Sequence, residues 1–117
     1  METEALVERI VDALDDLRAV DVVTIDVRGK TSITDLLVIA SGTSERHVRS
    51  LADRVTERVK EGGVRPLGTE GESGGDWVLV DLGEVIVHVM SREKRDFYNL
   101  EKLWSMESSD DSAAGGQ

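Results

Sequence analysis

The chain has 117 residues, no cysteine, and 24 acidic against 14 basic side chains, for a formal charge of −10. Such a length supports a single hydrophobic core, and the missing thiols exclude disulfide frameworks, thiolate zinc sites and cysteine nucleophiles. The acidic balance repels phosphate backbones, so little direct contact with nucleic acid is expected and a basic protein surface is the more natural partner.

No run approaches ~20 uninterrupted apolar residues, and METEALVER opens on acids. A soluble, cytoplasmic protein without a membrane span is therefore expected. From the N-terminus, Leu6, Ile10, Ala13, Leu14 and Leu17 fall on one side of a 3.6-residue repeat and predict a surface helix over 5–17. DVVTIDV (21–27) is short and β-branched, and RGKTSIT turns the chain into a second apolar run, LLVIA (36–40); both read as buried strands. Gly42 breaks the second run, and Thr43 or Ser44 offers a capping oxygen to a helix whose inner stripe is Val48, Leu51, Ala52, Val55 and Val59. Gly62-Gly63 ends that helix.

The loop RPLGTEGESGGD holds the only proline, Pro66, and part of it suits an edge strand. Beyond it, Trp77, Leu79 and Asp81 alternate with Val78, Val80 and Leu82, and past Gly83 the series Val85, Val87, Val89 opposes Ile86, His88, Met90. Both sets are mostly apolar, which predicts a tight hairpin of strands covered on both sides. SREKRDFYNLEKLW spaces Phe97, Leu100 and Trp104 as a short amphipathic helix. Residues 1–105 are thus expected to form one unit, and the acidic stretch 106–117, with nothing to fill a core, a disordered tail.

Chemistry is sparse. The turn SGTS opens a helix as phosphate-binding turns do, but no G-x-x-x-x-G-K-[ST] or G-x-G-x-x-G accompanies it. Asp81 with Glu84, and Glu70 with Glu72, are the carboxylate pairs available for metal-assisted nucleotidyl transfer, and their spacing around a turn and in a loop does not supply the required geometry. No cofactor or metal is expected. His88, between Val87 and Val89, reads as a hydrogen-bonded packing residue. Trp77, beside Asp76 at the mouth of a glycine-rich loop, reads equally as core or as the aromatic anchor of a protein contact.

Taken together, SITDLLVIASGTSERHVRSLADRV, then PLGTEGESGGDWVLVDLGEVIVHVM, then RDFYNLEKLW resemble the Iojap family of ribosomal silencing factors over roughly residues 4–104. The block D-W-x-L-x-D-x-G-x-x-x-V-H (76–88) is the specific part of the match. The resemblance implies an α+β fold, a mixed β-sheet flanked by helices with nucleotidyltransferase-like topology but without the catalytic carboxylates. It implies a homodimer that binds the large ribosomal subunit through ribosomal protein fourteen and blocks joining of the small subunit, repressing translation when nutrients are scarce. It implies no enzymatic activity, and the acidic N-terminus suggests a bacterial cytoplasmic member. Carried over by position, the motif nominates Asp76, Trp77, Asp81, Arg95, Tyr98 and Glu101 for the partner contact, with Arg46 and His47 as secondary surface candidates and Trp104 closing the motif. The rival expectation is a nucleotide-binding protein with residual nucleotidyltransferase-like activity, using Gly42 to His47 with Asp81 and Glu84.

Overall fold

The computed structural model describes residues 1–71, 75–99 and 101–102. Glu72, Leu100, Trp104 and the acidic stretch 106–117 lie outside the described residues.

The first helix, α1 (Thr3–Asp16), buries Leu6, Ile10, Ala13 and Leu14, as its stripe requires. It stops where Arg18 turns to a φ of 60°. Strand β1 (Val20–Asp26) follows, then β2 (Leu36–Gly42), in which all seven residues are buried. Helix α2 (Glu45–Glu61) is capped by Ser44, whose side chain accepts the His47 amide, and it buries the five predicted apolar residues. Its end is set by Gly62 and by Gly63 at φ 90°. The glycine-rich loop contributes a three-residue strand, β3 (Gly68–Glu70), and the hairpin β4 (Trp77–Asp81) and β5 (Val85–Ser91) closes over Gly83 at φ 88°. The last described helix is α3 (Arg92–Tyr98), capped by Ser91.

The five strands form one sheet in the order β1-β2-β5-β4-β3. β2 and β5 run parallel and every other neighbouring pair is antiparallel, which makes this a mixed sheet in an α+β fold. A parallel pair needs a long crossover, and α2 supplies it. It packs on the sheet with α1 against its flank. Leu36, Val38 and Ala40 of β2, Val78 and Val80 of β4, and Val85, Val87 and Val89 of β5 meet the two helices in one apolar cluster. Each large side chain buried there contributes ~1.5–3 kcal/mol, so this side of the sheet holds the fold together.

Gly42 shows how tightly β2 feeds α2. A Cβ at this position would stand 2.8 Å from Val48 Cγ2 and 2.9 Å from the Val48 amide nitrogen. Glycine is needed here for close approach of two backbones.

Three expectations change. β1 is an edge strand with half-exposed residues, not a buried one. The hairpin is covered fully on one side only: its second side, with Trp77, Leu79, Ile86 and His88, stays half-buried among the described residues. The helix predicted through Phe97, Leu100 and Trp104 instead ends at Asn99, which adopts φ 48° and ψ 54°. Phe97 is accordingly 76% exposed rather than turned into the core. Asparagine tolerates the left-handed region through its short polar side chain, which makes it a natural stop.

Candidate docking surface

Alternation along the strands sends a second set of side chains away from α1 and α2. Cross-strand partners share a face, so Val23 and Ile25 of β1, Leu37, Ile39 and Ser41 of β2, Ile86, His88 and Met90 of β5, and Trp77 and Leu79 of β4 stand on one surface. Its middle, Ile39 and Met90, is fully buried, while its β4–β5 side keeps partial solvent contact. Helix α3 packs against one end of β5 and β2. Beside it the surface is apolar and half-open on its β4–β5 side, at Trp77, Leu79, Ile86 and His88.

Trp77 stands directly opposite Met90, and Leu79 opposite His88. Trp77 and His88 are therefore diagonal neighbours, a separation that an aromatic side chain spans. The indole Nε1–H donates to His88 Nδ1 at 3.1 Å, with ring centroids 5.9 Å apart and planes inclined by 46°. Burial pulls the pKa of His88 down from 6.5 to about 4, because the apolar surround disfavours the imidazolium. The hydrogen bond acts in the same direction, since Trp Nε1 only donates and a proton on Nδ1 would face it. A shallow hollow of about 260 Å³ adjoins the indole, lined by Glu70, Gly71, Trp77 and Leu79.

Asp76 fastens this corner. Its carbonyl accepts the Ser91 amide at 2.9 Å and its carboxylate lies 3.8 Å from Lys94 Nζ, joining the start of β4 to the start of α3. Asp76, Trp77, His88 and α3 thus share one neighbourhood. Asp81 lies at the other end of β4, four residues and about 13 Å further along. Its Oδ1 accepts the Gly83 amide at 2.9 Å and its carbonyl accepts the Leu67 amide, so it shapes the hairpin turn. Glu84 across that turn accepts a hydrogen bond from the Thr3 hydroxyl and is tied to α1 instead of converging with Asp81. Among the described residues no three His, Asp or Glu side chains gather as a metal-binding group.

Arg95 and Glu101, nominated as contacts, are engaged inside the molecule. Arg95 is 8% exposed. Its Nε and Nη2 donate to the two Glu101 oxygens at 2.7 and 2.9 Å, and its Nη1 donates to Ser41 Oγ and the Val20 carbonyl. The Arg95 hydrogen bonds hold the Glu101 carboxyl below its usual range, against the opposing effect of burial. A guanidinium with four of its N–H groups committed bridges β1, β2 and the C-terminal segment; fork geometry explains why arginine stands there. Tyr98 is the last residue of α3, and its side chain lies outside the described part.

His47 also turns inward. Its Nδ1 accepts the Thr43 amide at 2.8 Å, which leaves Nε2–H to donate to the Leu17 carbonyl at 2.7 Å, tying the start of α2 to the end of α1. The amides of Thr43 and His47 at the SGTS turn are consequently both satisfied within the chain. Arg46 is exposed beside it. Sequence reasoning missed the Trp77–His88 pair, because it depends on register between two strands. It missed the exposure of Phe97 for the same kind of reason. Ile33 and Leu67, each 75% exposed, gave no sequence signal at all.

A family model described as ribosomal silencing factor during starvation matches residues 1–115. A ribosomal silencing factor from Haemophilus influenzae is 48% identical over 101 residues, covering 86% of this chain and 99% of its own. The mouse protein named mitochondrial assembly of ribosomal large subunit protein 1 is 35% identical over 111 residues, and the match spans 49% of that longer chain. A crystal structure from Chromobacterium violaceum superposes with a TM-score of 0.88 at 40% identity, covering 90% of this chain and 88% of the other. A second, from Bacillus halodurans, gives 0.79 at 37%, covering 87% and 95%. An acidic α+β domain with a half-open sheet surface is the class of molecule in hand. The chain belongs to the ribosomal silencing factor family.

Proposed function

We propose that this protein is a non-enzymatic repressor of translation that docks on the large ribosomal subunit, through ribosomal protein fourteen, and blocks joining of the small subunit, chiefly under nutrient limitation. The observation that carries this reading is the half-open apolar sheet surface around Trp77, in a chain that belongs to the ribosomal silencing factors. An excess of acidic side chains, 24 against 14 basic, favours a basic ribosomal protein as occupant. Trp77 is the anchor of the contact, Asp76 and α3 with Tyr98 form its flank, and Asp81 marks its far border. Arg95 and Glu101 support the contact from beneath, and Arg46 belongs to a separate surface. Residues 1–105 are the working unit, the acidic tail being dispensable. Cytoplasmic location, a homodimer of the free protein and nucleotidyltransferase-like topology belong to the same reading.

Co-sedimentation with purified large subunits at low salt tests it, followed by gradient analysis of subunit joining at increasing protein concentration. Expected are a saturable complex and a dose-dependent loss of joined ribosomes; no co-sedimentation refutes the reading. The nucleotide-binding alternative is disfavoured at the start of α2, where the Thr43 amide donates to His47 Nδ1 and the His47 amide to Ser44 Oγ. Saturable binding of magnesium-ATP in calorimetry, abolished by Asp81→Ala, would restore it.

A further inference from the structure

We propose that His88 is a specificity-determining residue of the docking surface: its Nε2–H is a fixed hydrogen-bond donor that requires an oxygen acceptor on the partner, and Trp77 is the positioning residue that fixes it. The proposal rests on the docking reading above and adds the chemistry the occupant must present.

Trp77 Nε1 carries a hydrogen and no lone pair for bonding, so the 3.1 Å contact to His88 Nδ1 requires Nδ1 to be the unprotonated nitrogen. The ring stays neutral near pH 7, its pKa being about 4, and a neutral imidazole carries one N–H. That hydrogen is therefore on Nε2. Among the described residues Nε2 has no hydrogen-bond partner, and no buried side-chain nitrogen or oxygen is left unsatisfied, so Nε2 keeps contact with solvent.

The neighbours on this surface are apolar. Leu79 faces His88 across β4 and Ile39 faces it across β2, with Ile86 and Met90 two residues either way along β5. In the free protein water satisfies the N–H. A partner that covers the surface removes that water, and a donor left unmet under apolar cover opposes binding. A main-chain carbonyl or a Ser, Thr, Asn or Gln oxygen on a basic ribosomal protein meets the requirement. A lysine or arginine head at this point does not, because two donors would oppose each other. The apolar neighbours supply area, and His88 supplies direction and register.

The test uses the full chain with purified large ribosomal subunits as probe. Long-range nitrogen–proton NMR correlations on the free protein are expected to show Nδ1 as the bare nitrogen and Nε2 as the protonated one. His88→Leu, which removes the donor and keeps the apolar bulk, is expected to weaken subunit binding about tenfold. His88→Gln, whose amide both donates and accepts, recovers most of that loss. Trp77→Phe keeps a ring and removes the fixing donor; it is expected to yield a mixture of His88 tautomers and weaker binding, and it serves as the deciding variant if His88→Leu does not fold. The proposal is overturned by a proton on Nδ1 in the free protein, or by a folded His88→Leu that binds as the parent does. A parent protein that fails to bind large subunits refutes the docking reading, and this use of His88 with it. Normal parent binding with an unaffected variant refutes only the role of His88.

Discussion

Acid provides a direct measure of how His88 is held. Its pKa is lowered by burial from 6.5 to about 4, so the folded state resists a proton that the unfolded chain accepts. The sign follows from linkage: stability is unaffected above pH ~7, falls as pH drops from about 6.5 towards 4, and this slope levels off below. At pH 5 the difference amounts to ~2 kcal/mol, from the two pKa values and their proton-binding curves. For a domain of this size that corresponds to a fall of roughly 10 °C in the thermal midpoint. Glu101, whose pKa is also lowered, contributes in the same direction but only once pH falls below the ordinary carboxylate value near 4.5, so the interval from 6.5 to 4.5 reports on histidine. Urea titrations of the parent and His88→Leu at half-unit steps of pH isolate the effect, because the variant retains His47 and every carboxylate. The parent is expected to lose stability relative to the variant throughout that interval. Parallel curves, or an NMR titration of His88 near 6.5, would refute the half-buried and neutral state of this ring.

Three further outcomes follow from particular contacts. Trp77→Ala removes a half-buried ring and the donor to His88, so it should cost ~2 kcal/mol of folding stability, below the 3–5 of a fully buried aromatic, and a comparable amount of large-subunit affinity; melting and co-sedimentation on one preparation separate the two. Gly42→Ala forces a methyl group against the Val48 backbone and should lower stability by ~1–3 kcal/mol, whereas Gly68→Ala, where nothing lies within 4 Å, should melt close to the parent. Arg95→Ala leaves Glu101, Ser41 and the Val20 carbonyl without their donor and should cost ~3 kcal/mol in denaturant titration; a near-neutral result would show that Arg95 does not bridge these elements.

What the sequence by itself determined is local. The stripe Val48, Leu51, Ala52, Val55, Val59, the Ser44 cap and the Gly62-Gly63 stop delimit α2 almost to the residue, because helix period and capping act within a turn or two. Alternation through 77–90 assigned side chains to the two sides of the hairpin, and Gly83 located its turn, because pleat and turn geometry are also short-range. The D-W-x-L-x-D-x-G-x-x-x-V-H block identified the family, which fold physics alone does not specify. Tertiary structure decided the rest. Whether alternating apolar residues are covered on one side or both depends on where α1, α2 and α3 pack, and these distances run through space. The Trp77–His88 bond exists because the β4–β5 register brings residues eleven apart into diagonal contact. Arg95 is nominated as a partner contact by its place in the family motif, yet two strands and Glu101 converge on it and offset its desolvation. Phe97 is placed on one face of a short amphipathic helix by its spacing; α3 ends at Tyr98, with Asn99 in the left-handed region, and Phe97 is exposed. Period and capping chemistry are carried by neighbours along the chain, whereas burial, register and the partner of each polar group are properties of segments that meet only on folding.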